Sequence, residues 1–213
     1  MNQRLVWNFE INSKLELIWP SLSTLEPSQL HWEVRYFWPK DAIVTLHGLS
    51  EMFLNLSLFH SKHRQDTYYL LPNSDYNLKL RHQKLSYKPL LIQQGACIAY
   101  GKKIKLEELD DNSPVPSSDE TASTLLQRIQ QQAIPMLVEK DVLIYHFQSP
   151  APLKLELARL MMGKQHYFSA SLEGNDVQLL EALRQQMFGQ EKSCSYMNFL
   201  HQELKPFSIK ASR

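Results

Sequence analysis

Residues 5 to 12 alternate in polarity, with Trp7, Phe9 and Ile11 on one side and Asn8, Glu10 and Asn12 on the other. A period of two marks a half-buried strand. The same period returns where His31, Glu33 and Arg35 alternate with Trp32, Val34 and Tyr36, and where Lys79 and Arg81 alternate with Leu78 and Leu80. It returns again where Lys154 and Glu156 alternate with Leu153, Leu155 and Leu157. Helical spacing lies between these runs: at about 13–19, at about 41–59 around Leu46, Leu49, Phe53 and Leu56, at about 119–133, and at about 175–188 with Val177, Leu180, Leu183 and Met187. Ser118 is the expected N-cap of the third, and Gly174 and Asn175 precede the last. Residues 110–118, DDNSPVPSS, carry too much Pro and Ser for regular structure and are expected to form a loop, either between two halves of a barrel or a mobile one.

These elements predict an α+β fold, an antiparallel β-barrel with helices packed on its outside. At 213 residues one domain over 1–213 is the default expectation, with residues 1–29 as an N-terminal extension whose first strand would cover a barrel edge. Charged residues make up 21% of the chain and balance to a net +1, which excludes bulk attraction to DNA or an acidic membrane and makes any anion site local. Charges interrupt every apolar run well before the roughly 20 residues a membrane helix needs. Cys97 and Cys194 lack metal or redox spacing, and the expected setting is reducing and cytoplasmic.

The charged faces of the strands carry the chemistry. A polar strand face turned to water is the plain reading of any one of them. A closed sheet packed by helices on its outer side would instead send the charges into a lumen. A lumen lined by Arg35, Lys79, Arg81 and Lys88 is unfavourable when empty, because buried like charges need neutralising, and a polyanion supplies that. Guanidinium forks and lysine point charges suit phosphate oxygens. Glu33, Glu156 and Glu173 on the same face would hold a hard divalent cation that bridges to phosphate. The basic cluster His60, Lys62, His63 and Arg64 reads first as a solvated loop and second as a steering patch. There is no Walker motif, dinucleotide fingerprint or nucleophile elbow.

Read in order, HWEVR at 31–35, QDTYY at 65–69, LKLR at 78–81, LSYKP at 85–89, LKLEL at 153–157, SLEG at 171–174 and SYMNFL at 195–200 resemble the strands of the CYTH, or triphosphate tunnel metalloenzyme, superfamily. The resemblance covers about residues 30–200. It implies a tunnel barrel that hydrolyses or cyclises triphosphates with Mg2+ or Mn2+. It implies Arg35, Lys79, Arg81, Lys88 and Lys140 as phosphate-binding groups, Glu33, Glu156 and Glu173 as metal ligands, and Glu33 with Arg35 at the reacting centre. His31 and Lys154 are further candidates, His31 as ligand, proton carrier or hydrogen-bonded lumen histidine. Departures accompany the matches: His31, Arg35 and Ser171 stand where the family pattern has a glutamate, a lysine and a carboxylate, and the link from Arg81 to Lys88 is short. The expected function is therefore a metal-dependent triphosphate hydrolase; the alternative is a binding module for polyphosphate or nucleotide that has lost turnover. The partner in either case is a triphosphate-bearing small molecule or polyphosphate.

Overall fold

The computed structural model describes residues 2–19, 30–148 and 152–208. Its strands are β1 (Gln3–Val6), β2 (Phe9–Glu16), β3 (His31–Pro39), β4 (Val44–Gly48), β5 (His60–Leu70), β6 (Asn77–Arg81), β7 (Lys84–Lys88), β8 (Leu90–Gln94), β9 (Cys97–Tyr100), β10 (Ile104–Lys105), β11 (Ile134–Phe147), β12 (Leu153–Met162) and β13 (Gln165–Gly174). Its helices are α1 (Ala122–Gln132), α2 (Val177–Phe188) and α3 (Tyr196–Ser208). Ten strands form one antiparallel sheet in the order β10-β7-β6-β5-β11-β12-β13-β3-β9-β8, and β1, β2 and β4 form a second, smaller sheet. The fold is α+β, with the large sheet curled into a half-barrel.

Two links force that curl. β7 is the second strand at one side of the sheet and β8 is the last at the other, yet only Pro89 separates them. β9 and β10, again on opposite sides, are joined by residues 101–103. With adjacent Cα atoms 3.8 Å apart, these links reach across the seam only if the two sides come together. Lys88 accordingly lies with its ammonium 5.5 Å from the ring centre of Tyr100 on β9. The two sides of the half-barrel are thus joined by chain connections rather than by a continuous hydrogen-bond ladder, and the channel is the space inside its concave face.

Both faces of the long strands are covered, which explains their apolar content. Along the convex face, Val34, Tyr36, Leu155, Leu157, Ala170 and Leu172 join Leu179, Leu180, Leu183 and Met187 of α2 and Phe9, Ile11, Val44 and Leu46 of the small sheet in one core. Leu78, Leu85 and Tyr87 meet Leu125 and Ile129 of α1 in another. α3 packs across one end of the concave face, where Phe37 stacks on Phe199 at 3.9 Å and Tyr68 on Tyr196 at 4.8 Å. It shuts that end of the channel with aromatic rings.

Several local expectations are corrected. The helices expected at 13–19 and 41–59 are β2, β4 and two 3-10 turns at Glu51–Leu54 and Leu56–Leu58. Parallel pairing of Phe9 with Val44 and of Ile11 with Leu46 buries those side chains as strand residues, which outweighs their helix-like spacing. α1 is capped by Thr121 rather than Ser118, the Thr121 hydroxyl accepting the Thr124 N–H. α2 begins at Asp176, whose carboxylate accepts the N–H groups of Gln178 and Leu179. α3 has no counterpart in the helical periods read above. Residues 110–118 are irregular, as expected, but pinned: Val115 is buried in the α1 core and Tyr87 donates to the Pro116 carbonyl at 2.9 Å. The short link after Arg81 is a two-residue turn in which His82 and Gln83 both take positive φ, the conformation that suits the twist of a tight hairpin. Residues 1 and 20–29 of the N-terminal extension lie outside the described residues, and its first strand joins the small sheet rather than an edge of the large one.

If α3 is held by its aromatic contacts, Phe199→Ala should lower the unfolding free energy by about 3–5 kcal/mol in a urea titration. A change below about 1 kcal/mol would mean that the helix is anchored elsewhere.

Candidate functional site

Directly paired residues share a face of a sheet, so the register fixes what lines the channel. Glu33 pairs with Glu173 and Arg35 with Ser171 between β3 and β13. Glu173 pairs with Lys154 and Ser171 with Glu156 between β13 and β12. Lys140 pairs with Arg64, and Val138 with Asp66, between β11 and β5. Tyr68 pairs with Lys79, and Lys79 with Ser86, which carries the face on to Arg81 and Lys88. The structure therefore brings together all ten residues read from the sequence: His31, Glu33, Arg35, Lys79, Arg81, Lys88, Lys140, Lys154, Glu156 and Glu173. It adds Arg64, Asp66 and the tyrosines 68 and 196.

Their charges sort into two groups. In the first, the Arg35 guanidinium is buried among three carboxylates, with Nε 2.7 Å from Glu33, Nη1 3.2 Å from Glu156 and Nη2 3.6 Å from Glu173. Nη1 also donates to the Ser169 hydroxyl. Lys154 Nζ lies 2.6 Å from Glu173 and 3.6 Å from Glu156, and Arg64 stands 3.7 Å from Glu156. His31 bridges Glu173 and Asn175 through its two ring nitrogens, with its side chain half exposed at the rim. Burial alone would raise the carboxyl pKa values of Glu156 and Glu173; Arg35 and Lys154 more than reverse this, with His31 acting on Glu173, and both are held ionised below the usual carboxylate range. Glu173 in turn raises the pKa of His31. Three carboxylates here answer Arg35, Lys154 and Arg64, and Glu156 also pulls on Lys140 of the next group.

The second group is unbalanced. Asp66, fully buried, takes two parallel hydrogen bonds from Arg81 at 2.5 and 2.6 Å, with Lys140 at 3.6 Å and Lys79 at 3.9 Å. One carboxylate thus faces three cations. Desolvation and the repulsion of the Lys140 charge, which Asp66 only partly offsets, bring the Lys79 ammonium down to about 7. Burial likewise brings Lys140 down to about 8, against the pull of Glu156. The Lys140 ammonium lies over the faces of Tyr196 and Tyr68 at 4.9 and 5.9 Å, aromatic contacts that partly replace its lost hydration. Lysines under this strain are ready-made partners for an incoming anion.

A cleft of about 720 Å³ opens beside this group, lined by Lys62, His63, Arg64, Arg81 and His82 among others. It exists because β5 pairs with β6 only around Thr67 and Tyr68, so that the first half of β5 parts from the hairpin. His60 to Arg64, expected as a solvated loop, are part of β5. A second opening of about 540 Å³ lies at His31, Lys154, Glu173 and Asn175.

In the sequence Asp66 stands within QDTYY, a tyrosine-rich strand, where an orienting role competes with a structural one. Its sharing of strand parity with Arg64 and Tyr68 is the signal that places it on the charged face. The donor set does not fit the expected Mg2+ or Mn2+. Among the described residues no three His, Cys, Asp or Glu side chains form a group able to hold a metal ion, and Glu33, Glu156 and Glu173 are instead gathered around Arg35.

No family model matches the sequence, and no curated protein does. Solved structures similar to this chain include HpAC1 of Hippeastrum, described by a dominant triphosphatase activity (15% identity, 84% of this chain and 88% of that one, TM-score 0.42). They also include PH1819 of Pyrococcus horikoshii (15% identity, 81% and 99%, TM-score 0.40) and the Pct1 RNA triphosphatase of S. pombe in complex with the Spt5 CTD (9% identity, 85% and 83%, TM-score 0.33). Two of these three are described by a triphosphatase activity. Likeness at this level carries no argument about chemistry, which rests on the side chains above.

Two expectations follow. Asp66→Asn removes the only carboxylate within 4 Å of Lys79, Arg81 or Lys140 among the described residues and should destabilise the fold by about 3–5 kcal/mol in denaturant unfolding. Retention of full stability would show that the three cations do not depend on it. The second concerns pH. Lys79 has a folded pKa of about 7 against 10.5 unfolded, so between those values the unfolded chain binds more protons and stability must rise with pH. Lys140, at about 8, acts in the same direction from slightly higher pH. Thermal melts from pH 7 to 10 should show that rise, and Lys79→Met should flatten it.

Proposed function

We propose that the protein is a divergent member of the triphosphate tunnel superfamily and that its channel binds a triphosphate-bearing small molecule or short polyphosphate. The observation that carries this reading is the cation surplus around Asp66: Lys79, Arg81 and Lys140 share one buried carboxylate. A phosphate chain supplies the missing negative charge, with Arg81 offering planar N–H donors and the two lysines point charges. Arg64 extends the set from the cleft side, and Lys88 from the seam beside Tyr100. The site grips the phosphates rather than the organic part, since these are the groups its charge selects.

Hydrolysis of the bound triphosphate is the second reading, favoured by the position of Glu33. Its side chain is 18% exposed against 12% for Glu173 and 3% for Glu156, which makes it the carboxylate of the three most open to water. In that reaction a water oxygen attacks the terminal phosphorus, the bridging P–O bond breaks with its electron pair leaving on the diphosphate, and the water proton passes to Glu33. The cations offset charge building on the leaving oxygens. Neither reading routes a step through a divalent ion.

Titration calorimetry with tripolyphosphate tests the binding. Lys79→Ala and Arg81→Ala should each weaken it at least about tenfold, the loss of one charge-assisted contact. Affinity for the wild type should fall as pH rises above about 7, because Lys79 must then take up a proton on binding. Wild-type heat unchanged by both substitutions would remove the site from this group. Phosphate release, measured with and without Mg2+ or Mn2+, separates the readings: release lost in Glu33→Gln supports hydrolysis, and binding without release leaves a binding module.

A further inference from the structure

We propose that the Arg35 guanidinium is a built-in substitute for a divalent cation, so that the channel takes its phosphate ligand without metal. The inference rests on the anion-binding reading above for its ligand, and on separate observations for Arg35. Three carboxylates from three strands, Glu33 of β3, Glu156 of β12 and Glu173 of β13, converge on this one side chain at 2.7, 3.2 and 3.6 Å. Three carboxylates in a buried wall need a cation beside them. Here the place is taken by a group that belongs to the chain.

The chemistry of the substitution is specific. A guanidinium is planar, stays charged at every physiological pH, and offers five N–H donors in a fixed fork, so it can satisfy several carboxylates at once. The Arg35 side chain is 6% exposed, with Ser169 taking a further hydrogen bond and the Tyr196 ring 5.5 Å from its central carbon. Those contacts fix it against displacement. A dication entering among the same carboxylates would meet a fixed positive charge at the centre of the trio, flanked by Lys154 within 4 Å of both Glu156 and Glu173 and by Arg64 near Glu156. Like charges at that range in a poorly hydrated wall repel strongly. Among the described residues no group of three His, Cys, Asp or Glu side chains is arranged to hold a metal ion, this trio included. Removing Arg35 would leave the three carboxylates without the cation they share, free to draw in another.

The test uses Mn2+ as the probe, followed by electron paramagnetic resonance with the full-length protein. Wild type should show no stoichiometric Mn2+ binding, Arg35→Ala should bind Mn2+ at least about tenfold more tightly than wild type, and Arg35→Lys, which keeps the charge, should behave as wild type. Tripolyphosphate binding to the wild type should persist at full affinity in EDTA. A stoichiometric Mn2+ site in wild type that is lost in Glu173→Gln overturns the proposal, as does tripolyphosphate binding that vanishes with EDTA. Should Arg35→Ala fail to fold, the wild-type titration alone decides. Absence of tripolyphosphate binding both with and without metal would refute the anion reading, while the Mn2+ titration would still judge Arg35.

Discussion

A charged group taken out of water must find its countercharge inside the protein, and this constraint organises the whole channel. Arg35, Lys140, Glu156 and Asp66 are all buried in a wall whose other face is packed with aliphatic side chains. Desolvating each ion costs several kcal/mol, which only close partners offset. The strand register meets this demand by placing Glu33, Arg35, Lys154, Glu156 and Glu173 on neighbouring strands of one face. The balanced half of the channel is the structural consequence. The half around Asp66, where the balance fails, is where function is to be sought.

Curling of the sheet is what turns this face into an enclosure. On a flat sheet the same side chains would be hydrated and their ion pairs weak. Pro89 and residues 101–103 draw the two sides together, α3 shuts one end, and the lysines lose enough water for Lys79 to fall to about 7. Two physical effects therefore act in sequence: backbone topology sets the dielectric, and the dielectric sets the charge state. A phosphate chain entering such a space meets donors already held in place, with little reorganisation required.

Much of the charged face was legible from strand parity alone, because alternation in β3, β6 and β12 commits their ionic side chains to one side. What parity could not supply is which carboxylate answers which cation. Arg35 and Glu33 are two residues apart and read as phosphate and metal groups, yet they form an ion pair, since pairing depends on neighbours brought by β12 and β13 from more than a hundred residues away. The importance of Asp66 is hidden in the sequence for the same reason: its partners Lys79, Arg81 and Lys140 come from two other strands. The errors at 13–19 and 41–59 have another source. Leu46 and Leu49 satisfy a helical period by chance, and only the parallel contact of β2 with β4 decides in favour of strand. α3 is legible in principle, since Met197, Leu200 and Leu204 recur at helical spacing, but residues 195–200 enter the sequence reading only through their resemblance to a family segment.

Nitrogen-detected NMR of the lysine side chains tests most directly the proposal that Lys79 binds an anion. The ammonium of Lys79 should titrate near 7 in the free protein and move up by at least about one pH unit when tripolyphosphate is bound, as a new opposite charge requires. A Lys79 that titrates like a solvated lysine in the free protein, or that keeps its value with tripolyphosphate bound, would contradict the account.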